Sequence, residues 1–291
     1  MNIDKPAGMS SHDLVVEVRR ISGEKRVGHA GTLDPMATGV LVICLGQATR
    51  VVEYLMKGRK IYRARIRLGV STDTYDTEGN VTHSVPTVDV SLSEIEQALS
   101  SFSGQVEQLP PMYSALKYKG TPLYKLARRG LTVERKRRLV EIEEIQVLDW
   151  SSPFLTIQVT CSPGTYIRSL AHDLGERLGC GGHLHGLVRL ACGRFTLAEA
   201  VTLEALAEAF AQNRWSELIR PIDEALLMYE AMTVNAEVEH RIRLGQQVKG
   251  PRPLSPSSLR RAYSAQGHLI ALLRYDARTG RWQPEKVFAS E

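Results

Sequence analysis

The segment Arg26-Val27-Gly28-His29-Ala30-Gly31-Thr32-Leu33-Asp34-Pro35-Met36-Ala37-Thr38-Gly39 constrains this chain more than any other, because special backbone chemistry is densest there. Glycine reaches positive φ without steric cost and proline fixes φ at about −65°, so Gly28, Gly31, Pro35 and Gly39 describe a tightly shaped loop. Asp34 is the one acid inside it. A residue before proline is pushed out of the helical region, which predicts an extended Asp34 with its carboxylate directed by the loop. The run Val40-Leu41-Val42-Ile43-Cys44-Leu45 that follows has strand length and predicts a buried strand anchoring the loop. Polar loops on rigid supports often carry sites; the plain alternative is an Asx turn in which Asp34 caps its own backbone.

Charge distribution points to the partner. The excess of 37 Lys+Arg over 32 Asp+Glu among 291 residues is slight, but it is concentrated. From Tyr113 to Arg138, Lys117, Lys119, Lys125, Arg128, Arg129, Arg135, Lys136, Arg137 and Arg138 face a single acid, Glu134. Between His240 and Lys286 a second basic stretch contains only Asp276 and Glu285 as acids. Two separated basic surfaces suit a long folded polyanion better than a small acidic substrate, and a solvated charged face is the plain alternative for either one. With 43% hydrophobic residues the chain has material for one large domain and a small one. Cys44, Cys161, Cys180 and Cys192 form no CxxC pair and no signal peptide is evident, which predicts a cytoplasmic protein with reduced thiols. No apolar run approaches the roughly 20 residues needed to span a bilayer, so no membrane contact is expected. Cys180, His183, His185 and Cys192 lack paired-ligand spacing, and no metal is assigned to them.

Along the chain, residues 12–21 predict a helix with Leu14, Val15, Val18 and Ile21 on one face, and 48–56 predict a short second one. Residues 60–69 alternate strictly, placing Tyr62, Ala64, Ile66 and Leu68 opposite Ile61, Arg63, Arg65 and Arg67; Tyr62 is read as a core tyrosine. Asp73 to Asn80 form an acidic turn without a full metal-ligand set. Helices are predicted over 90–102, capped by Ser91 or Ser93, and over 203–211, with strands over 139–148 and 154–161. The turn Ser162-Pro163-Gly164-Thr165 presents Tyr166 and Arg168 at a helix N-terminus, where a cation opposes the dipole unless an acid compensates it. Beyond about Ala231, short strands and turns, including the loop 250–258, predict a small β-rich unit.

The blocks DKPAGMSSHD, RVGHAGTLDPMATG, KIYRARIRLG, DTYDTEG, QLPPMYSALKYKG and GTYIRSLAHDLG together resemble the TruB family of bacterial tRNA pseudouridine-55 synthases, from residue 4 to about 195. The tail ending EKVFA resembles, more weakly, that family's PUA domain. The resemblance implies an α+β pseudouridine-synthase fold, a mixed curved sheet flanked by helices over 1–229, with a PUA-like β-barrel over 230–291. It implies Asp34 as catalytic aspartate, Tyr62 as pocket tyrosine and Arg168 as the aspartate's basic partner. Tyr166 and His29 match residues near the target base and in the cleft, and residues 108–138 match a mobile thumb over the T-arm of tRNA. Lys5, Tyr113, Lys117, Arg128 and Arg129 join the implied substrate-binding set. Two departures are visible: Leu187-Val188-Arg189-Leu190 keeps one of two usual arginines, placing one phosphate or structural contact in question, and the chain begins at Met1-Asn2-Ile3, shorter than usual, as though the first strand were clipped or the true start lay upstream.

The implied reaction cuts the N1–C1′ bond of uridine 55 and rejoins the base through C5, without net redox change, so no cofactor is expected. A carboxylate could attack C1′, attack C6 or abstract a proton. Desolvation would raise the Asp34 pKa and a paired Arg168 would lower it. The base must be flipped out, and stacking on a ring such as Tyr62 would offset that cost. Two other functions fit the same sequence: an RNA-binding or tRNA-folding factor, and a guide-RNA-dependent pseudouridine synthase subunit. Met36-Ala37 and the short tail favour an enzyme that needs neither guide RNA nor protein partner.

Overall fold

A computed structural model describes residues 1–253 and 258–289; part of the predicted 250–258 loop therefore lies outside the described residues. The main element is a nine-stranded mixed sheet. Its path runs Asn2–Lys5, Thr38–Leu45, Gly182–Cys192, Lys60–Leu68, Phe154–Cys161, Arg138–Ser151, Gly104–Gln108, with Val27–His29 and Phe195–Thr196 paired off it. Gly182–Cys192 runs parallel to Thr38–Leu45 and antiparallel to Lys60–Leu68. This leaves one strand, Gly182–Cys192, between the strand that leaves the Asp34 loop and the strand that carries Tyr62.

Strand alternation builds the core. Tyr62, Ala64, Ile66 and Leu68 are buried on one face and pack with Ile142, Ile157 and Val159 of neighbouring strands. Helices Leu92–Ser100 and Ile167–Arg177 cover that face through Ile95, Leu170 and Leu174. At the other end, helices Ser11–Ser22 and Leu203–Ala211 bury Leu14, Val18 and Leu206 against Ile3, Leu41 and Ile43. The first helix is capped by Ser10, whose hydroxyl accepts from the Asp13 amide while Asp13 accepts in return. The segment predicted as one helix over 48–56 is instead a 3-10 turn, Gly46–Val51, leading into Val52–Leu55.

The tail forms a four-stranded sheet in the order Glu230–Thr233, Leu259–Tyr263, Leu269–Asp276, Arg281–Val287, with fully buried Trp282 at its core. No ladder joins its two outer strands among the described residues. The expected β-barrel is thus an open sheet, and helix Ala236–Arg243, unforeseen in the sequence reading, packs on it. Val51, Tyr54, Leu226, Leu272 and Phe288 share one apolar cluster between this sheet and the main body. Tyr54 donates to Glu285 at 2.9 Å and Lys286 pairs with Glu53 at 2.9 Å across the same seam.

Candidate active site

Asp34 lies just before a tight turn in which the Ala37 amide donates to the Asp34 carbonyl at 3.1 Å. Such a loop has few hydrogen bonds of its own, and distant residues supply the rest. Ser11, on the first helix, donates its hydroxyl to the Leu33 carbonyl at 3.0 Å and accepts from the Leu33 amide at 2.8 Å. Arg189, 1% exposed, donates to the carbonyls of Val40 at 2.6 Å, Gly31 at 3.0 Å and Thr32 at 3.5 Å. Gly31 takes φ 98°, which strongly favours glycine. Gly39 also has φ 98°, and a Cβ there would lie within 2.3 Å of the Arg189 carbonyl oxygen, so parallel pairing of the two strands demands glycine.

Lys5 departs from its expected role in substrate binding. It is fully buried, and its ammonium donates to the carbonyls of Pro6 at 2.7 Å, Met9 at 2.6 Å and Pro35 at 3.2 Å. An ammonium has three donors, so all are used inside the protein. Lys5 is a strut beneath the loop, and burial lowers its pKa to about 8 against the opposing pull of Asp34.

The carboxylate of Asp34 meets the guanidinium of Arg168 at 2.8 Å. Arg168 also pairs with Asp76 at 3.3 Å and donates to the carbonyls of Tyr113 at 2.8 Å and Thr74 at 3.5 Å. Its planar fork is filled on both sides, a role lysine's single ammonium could not copy. Two carboxylates also answer the dipole problem at the start of helix Ile167–Arg177, where Tyr166 is the N-cap. The side chains of Arg168 and Asp76 are 6% and 4% exposed, whereas that of Asp34 is 29% exposed. The arginine and its second acid are inner members, and Asp34 is the acid that reaches open space. Burial pushes the Asp34 carboxyl above the usual carboxylate range, Arg168 pulls it back, and Asp76 adds to the push.

Asp76, inside the DTYDTEG turn, is a member of the site that the sequence does not single out; its carboxylate also accepts from the Thr74 hydroxyl at 2.5 Å and the Glu78 amide at 3.0 Å. Gln108 is a second residue the sequence reading left unassigned. Its side chain accepts from the Tyr166 amide at 2.9 Å and donates to the Tyr166 carbonyl at 3.3 Å, tying the base of the expected thumb to the helix that carries Arg168. Ser11 and Arg189 complete the unassigned set.

Tyr62 is 9% exposed in the core beside Leu33 and Ala37, and burial raises its hydroxyl pKa. Tyr166 is half-buried, with its hydroxyl raised by burial as well. His29 sits on the short strand Val27–His29, half-buried, with an unpartnered Nδ1; burial lowers its pKa and nearby Arg189 and His12 act the same way. Tyr113 engages the cluster through its backbone carbonyl. Lys117, Arg128 and Arg129 are exposed on the 108–138 segment, where only a two-residue hairpin and helix Leu123–Ala127 are regular. Arg128 lies near enough to Glu78 to lower its carboxyl against burial and the charges of Asp76 and Asp34, which raise it. The segment is tied to the site by the Tyr113 carbonyl, which accepts from Arg168.

A mixed sheet that presents a loop-borne aspartate to a buried arginine, with a core tyrosine two strands away, is the arrangement that the resemblance to pseudouridine synthases implies, and similarity to known proteins shows that class. The model described as TruB family pseudouridylate synthase, N-terminal domain, matches residues 19–167. The tRNA pseudouridylate synthase B C-terminal domain matches 168–227. The chain belongs to the TruB family. It is 41% identical over 288 residues to "tRNA pseudouridine synthase B" of Dehalococcoides mccartyi, covering 99% of this chain and 95% of the relative. The protein of the same name in Syntrophotalea carbinolica is 47% identical over 84% of this chain and 79% of its own. Among solved structures, a chain of "Crystal Structure of a Cbf5-Nop10-Gar1 Complex" matches with TM-score 0.77 and 26% identity, over 99% of this chain and 84% of the other. A chain of an H/ACA RNP bound to a substrate RNA shares the fold at TM-score 0.77 and 24% identity, over 100% and 84%. No helix among the described residues is long and apolar enough to cross a membrane.

Proposed function

We propose that this enzyme isomerises uridine 55 in the T-loop of tRNA to pseudouridine, with Asp34 as the catalytic carboxylate. The observation that carries the reading is the 2.8 Å pair between a partly exposed Asp34 and a buried Arg168 that is itself anchored by Asp76. The fixed arginine aims the carboxylate and favours its ionised form at neutral pH against the cost of burial. The uridine leaves its stack, and its ring is received between Tyr62 and Tyr166, with His29 on the wall of the cleft. The N1–C1′ bond breaks, the base turns, C5 joins C1′, and the proton lost from C5 is balanced by one gained at N1. Atoms and electrons balance within the nucleotide, so the chemistry requires no cofactor.

The exposed Lys117, Arg128 and Arg129 are proposed to hold T-arm phosphates. The body over 1–229 is assigned to catalysis and the unit over 230–291 to a PUA-like RNA contact, the latter supported by its basic strands. The four buried, unpaired cysteines suit a cytoplasmic enzyme. The names of the relatives support tRNA as substrate, and action on it without a guide RNA or protein partner is part of the proposal. The test is incubation with an unmodified tRNA transcript alone, mapping pseudouridine by position. Product at position 55, lost in Asp34→Asn, supports the reading; product from the Asp34→Asn variant, or a need for added guide RNA, overturns it.

A further inference from the structure

The opposite face of the sheet carries a feature that the site does not use. Arg63, Arg65 and Arg67 alternate with the core residues of strand Lys60–Leu68, and all three are exposed. Alternate residues of a strand stand roughly 6.6 Å apart, so the guanidinium groups form a row. None is ion-paired among the described residues, although the surface elsewhere pairs arginines freely, as in Arg59 with Glu143 and Arg20 with Glu17. The neighbouring strands extend the row sideways. Phe154 lies opposite Arg67 on one side and His183 on the other, while Thr156 and Gln158 flank Arg65 and Arg63. Arg65 stacks over the Phe154 ring at 4.2 Å, and that ring lies 5.0 Å from His185. Burial lowers the His185 pKa and the charges of Arg65, His183 and Arg67 lower it further, which marks a positive potential over this patch. The register carries Glu144 and Asp149 onto the same face, but one strand beyond Thr160 and Thr156.

We infer that this face binds the sugar-phosphate backbone of a second RNA chain, distinct from the one entering the Asp34 site. A row of unpaired guanidinium groups interleaved with flat rings is complementary to phosphates and bases together. A protein partner is disfavoured because the exposed centre of this face is guanidinium, with the apolar Phe154, Ile61 and Val188 only part-exposed around it, and protein interfaces need a buried apolar centre. The RNA is a separate chain because the catalytic side chains lie on the other side of the sheet, and a stiff RNA helix in the site cannot turn round its edge.

The test fills the site first. Asp34→Asn enzyme is saturated with a T-arm hairpin, and a labelled RNA duplex of about 20 base pairs without a T-loop is titrated at about 50 mM salt. The result expected is duplex binding that falls at least tenfold in R63Q/R65Q/R67Q, with the salt slope smaller by about 2–3, one unit or slightly less per lost phosphate contact. The control R20Q/R177Q/R214Q removes the same charge from other exposed positions and keeps binding within about twofold. Absence of duplex binding to the filled enzyme, or equal losses in the two triple variants, overturns the inference. So does loss of hairpin turnover when R63Q/R65Q/R67Q is placed in the otherwise unaltered enzyme. Failure of the enzyme without any of these substitutions to modify the hairpin would count against the catalytic reading instead.

Discussion

Replacing Arg168 by leucine tests the electrostatic logic of the site most directly. The substitution removes contacts of 2.8 Å to Asp34 and 3.3 Å to Asp76, together with donors to the Tyr113 and Thr74 carbonyls. At an effective dielectric constant of about 20, each of those charge pairs represents roughly 5–6 kcal/mol of gross attraction, most of it offset by desolvation. What remains after the arginine is gone is a buried, uncompensated Asp76 facing Asp34, and removal of one partner from such a pair costs about 3–5 kcal/mol. We expect urea denaturation at pH 7 to show a loss of that size, with activity abolished. The pH dependence fixes the cause. Asp34 is already raised by burial and loses its opposing charge when Arg168 goes, so its carboxyl costs stability only where the unfolded chain is ionised, above the ordinary value of 3.8. The deficit should therefore shrink steadily as pH falls from 7 toward about 4, and Asp76→Asn added to Arg168→Leu should recover about half of it at pH 7. A loss below about 1 kcal/mol, or one that does not change over that pH range, would refute the reasoning.

Burial raises the Asp34 carboxyl above its ordinary 3.8, so the acid limb of kcat/KM should inflect above that value, and Asp34→Asn should raise stability at neutral pH by an amount that fades as pH falls toward 4. An acid limb at or below 3.8 would contradict this. Asp34→Asn should keep tRNA affinity within about tenfold by filter binding, because phosphate contacts are dispersed. Gly31→Val forces a branched residue to φ 98° and should lower kcat far more than it raises the tRNA Kd; equal losses would show that loop shape is not what activity requires. K117Q/R128Q/R129Q should weaken T-arm binding and reduce the salt slope by about 2–3 with kcat nearly constant, and an unchanged slope would remove these residues from the interface.

Much of the fold could be read from periodicity. The alternation of 60–68 and the unbroken apolar run before Gly46 gave both strands and the buried face of Tyr62, because side-chain spacing there is strictly two. Helix Ala236–Arg243 escaped notice although its signals were present: Asn235 caps it, Glu237 and Glu239 open it, and Arg241 and Arg243 close it. Its short length and polar composition hid one buried residue, Ile242, among charges. The open arrangement of the tail strands could not be read, since pairing is a long-range property of the ladder. At the site, the dipole argument marks Arg168 as a cation in need of an acid and the family resemblance names Asp34 as that acid, but nothing in the sequence points to Asp76. An acidic turn reads as solvent-exposed, and only the Arg168 helix packed over it makes that acid a buried partner.

The basic residues divide by a rule that sequence alone does not contain. Lys5 and Arg189 look like further cations of an RNA-binding chain, yet both are buried and all the donors that contact the loop end on backbone carbonyls. A loop with glycines at positive φ cannot satisfy its carbonyls by helix or ladder, and carbonyls beneath a water-excluding site must still find donors. Long cationic side chains from the first strand and from Gly182–Cys192 meet that need, because one guanidinium can gather carbonyls from Gly31 to Val40 that no single backbone amide could reach. The arginine missing at Val188 fits the same division: its position pairs with Arg63 on the outer face, whereas Arg189 pairs with Tyr62 on the inner one. Arg189→Lys is then expected to lower kcat with little change in the tRNA Kd, since one ammonium cannot span the three carbonyls; a change in Kd alone would place Arg189 with the RNA-facing cations instead.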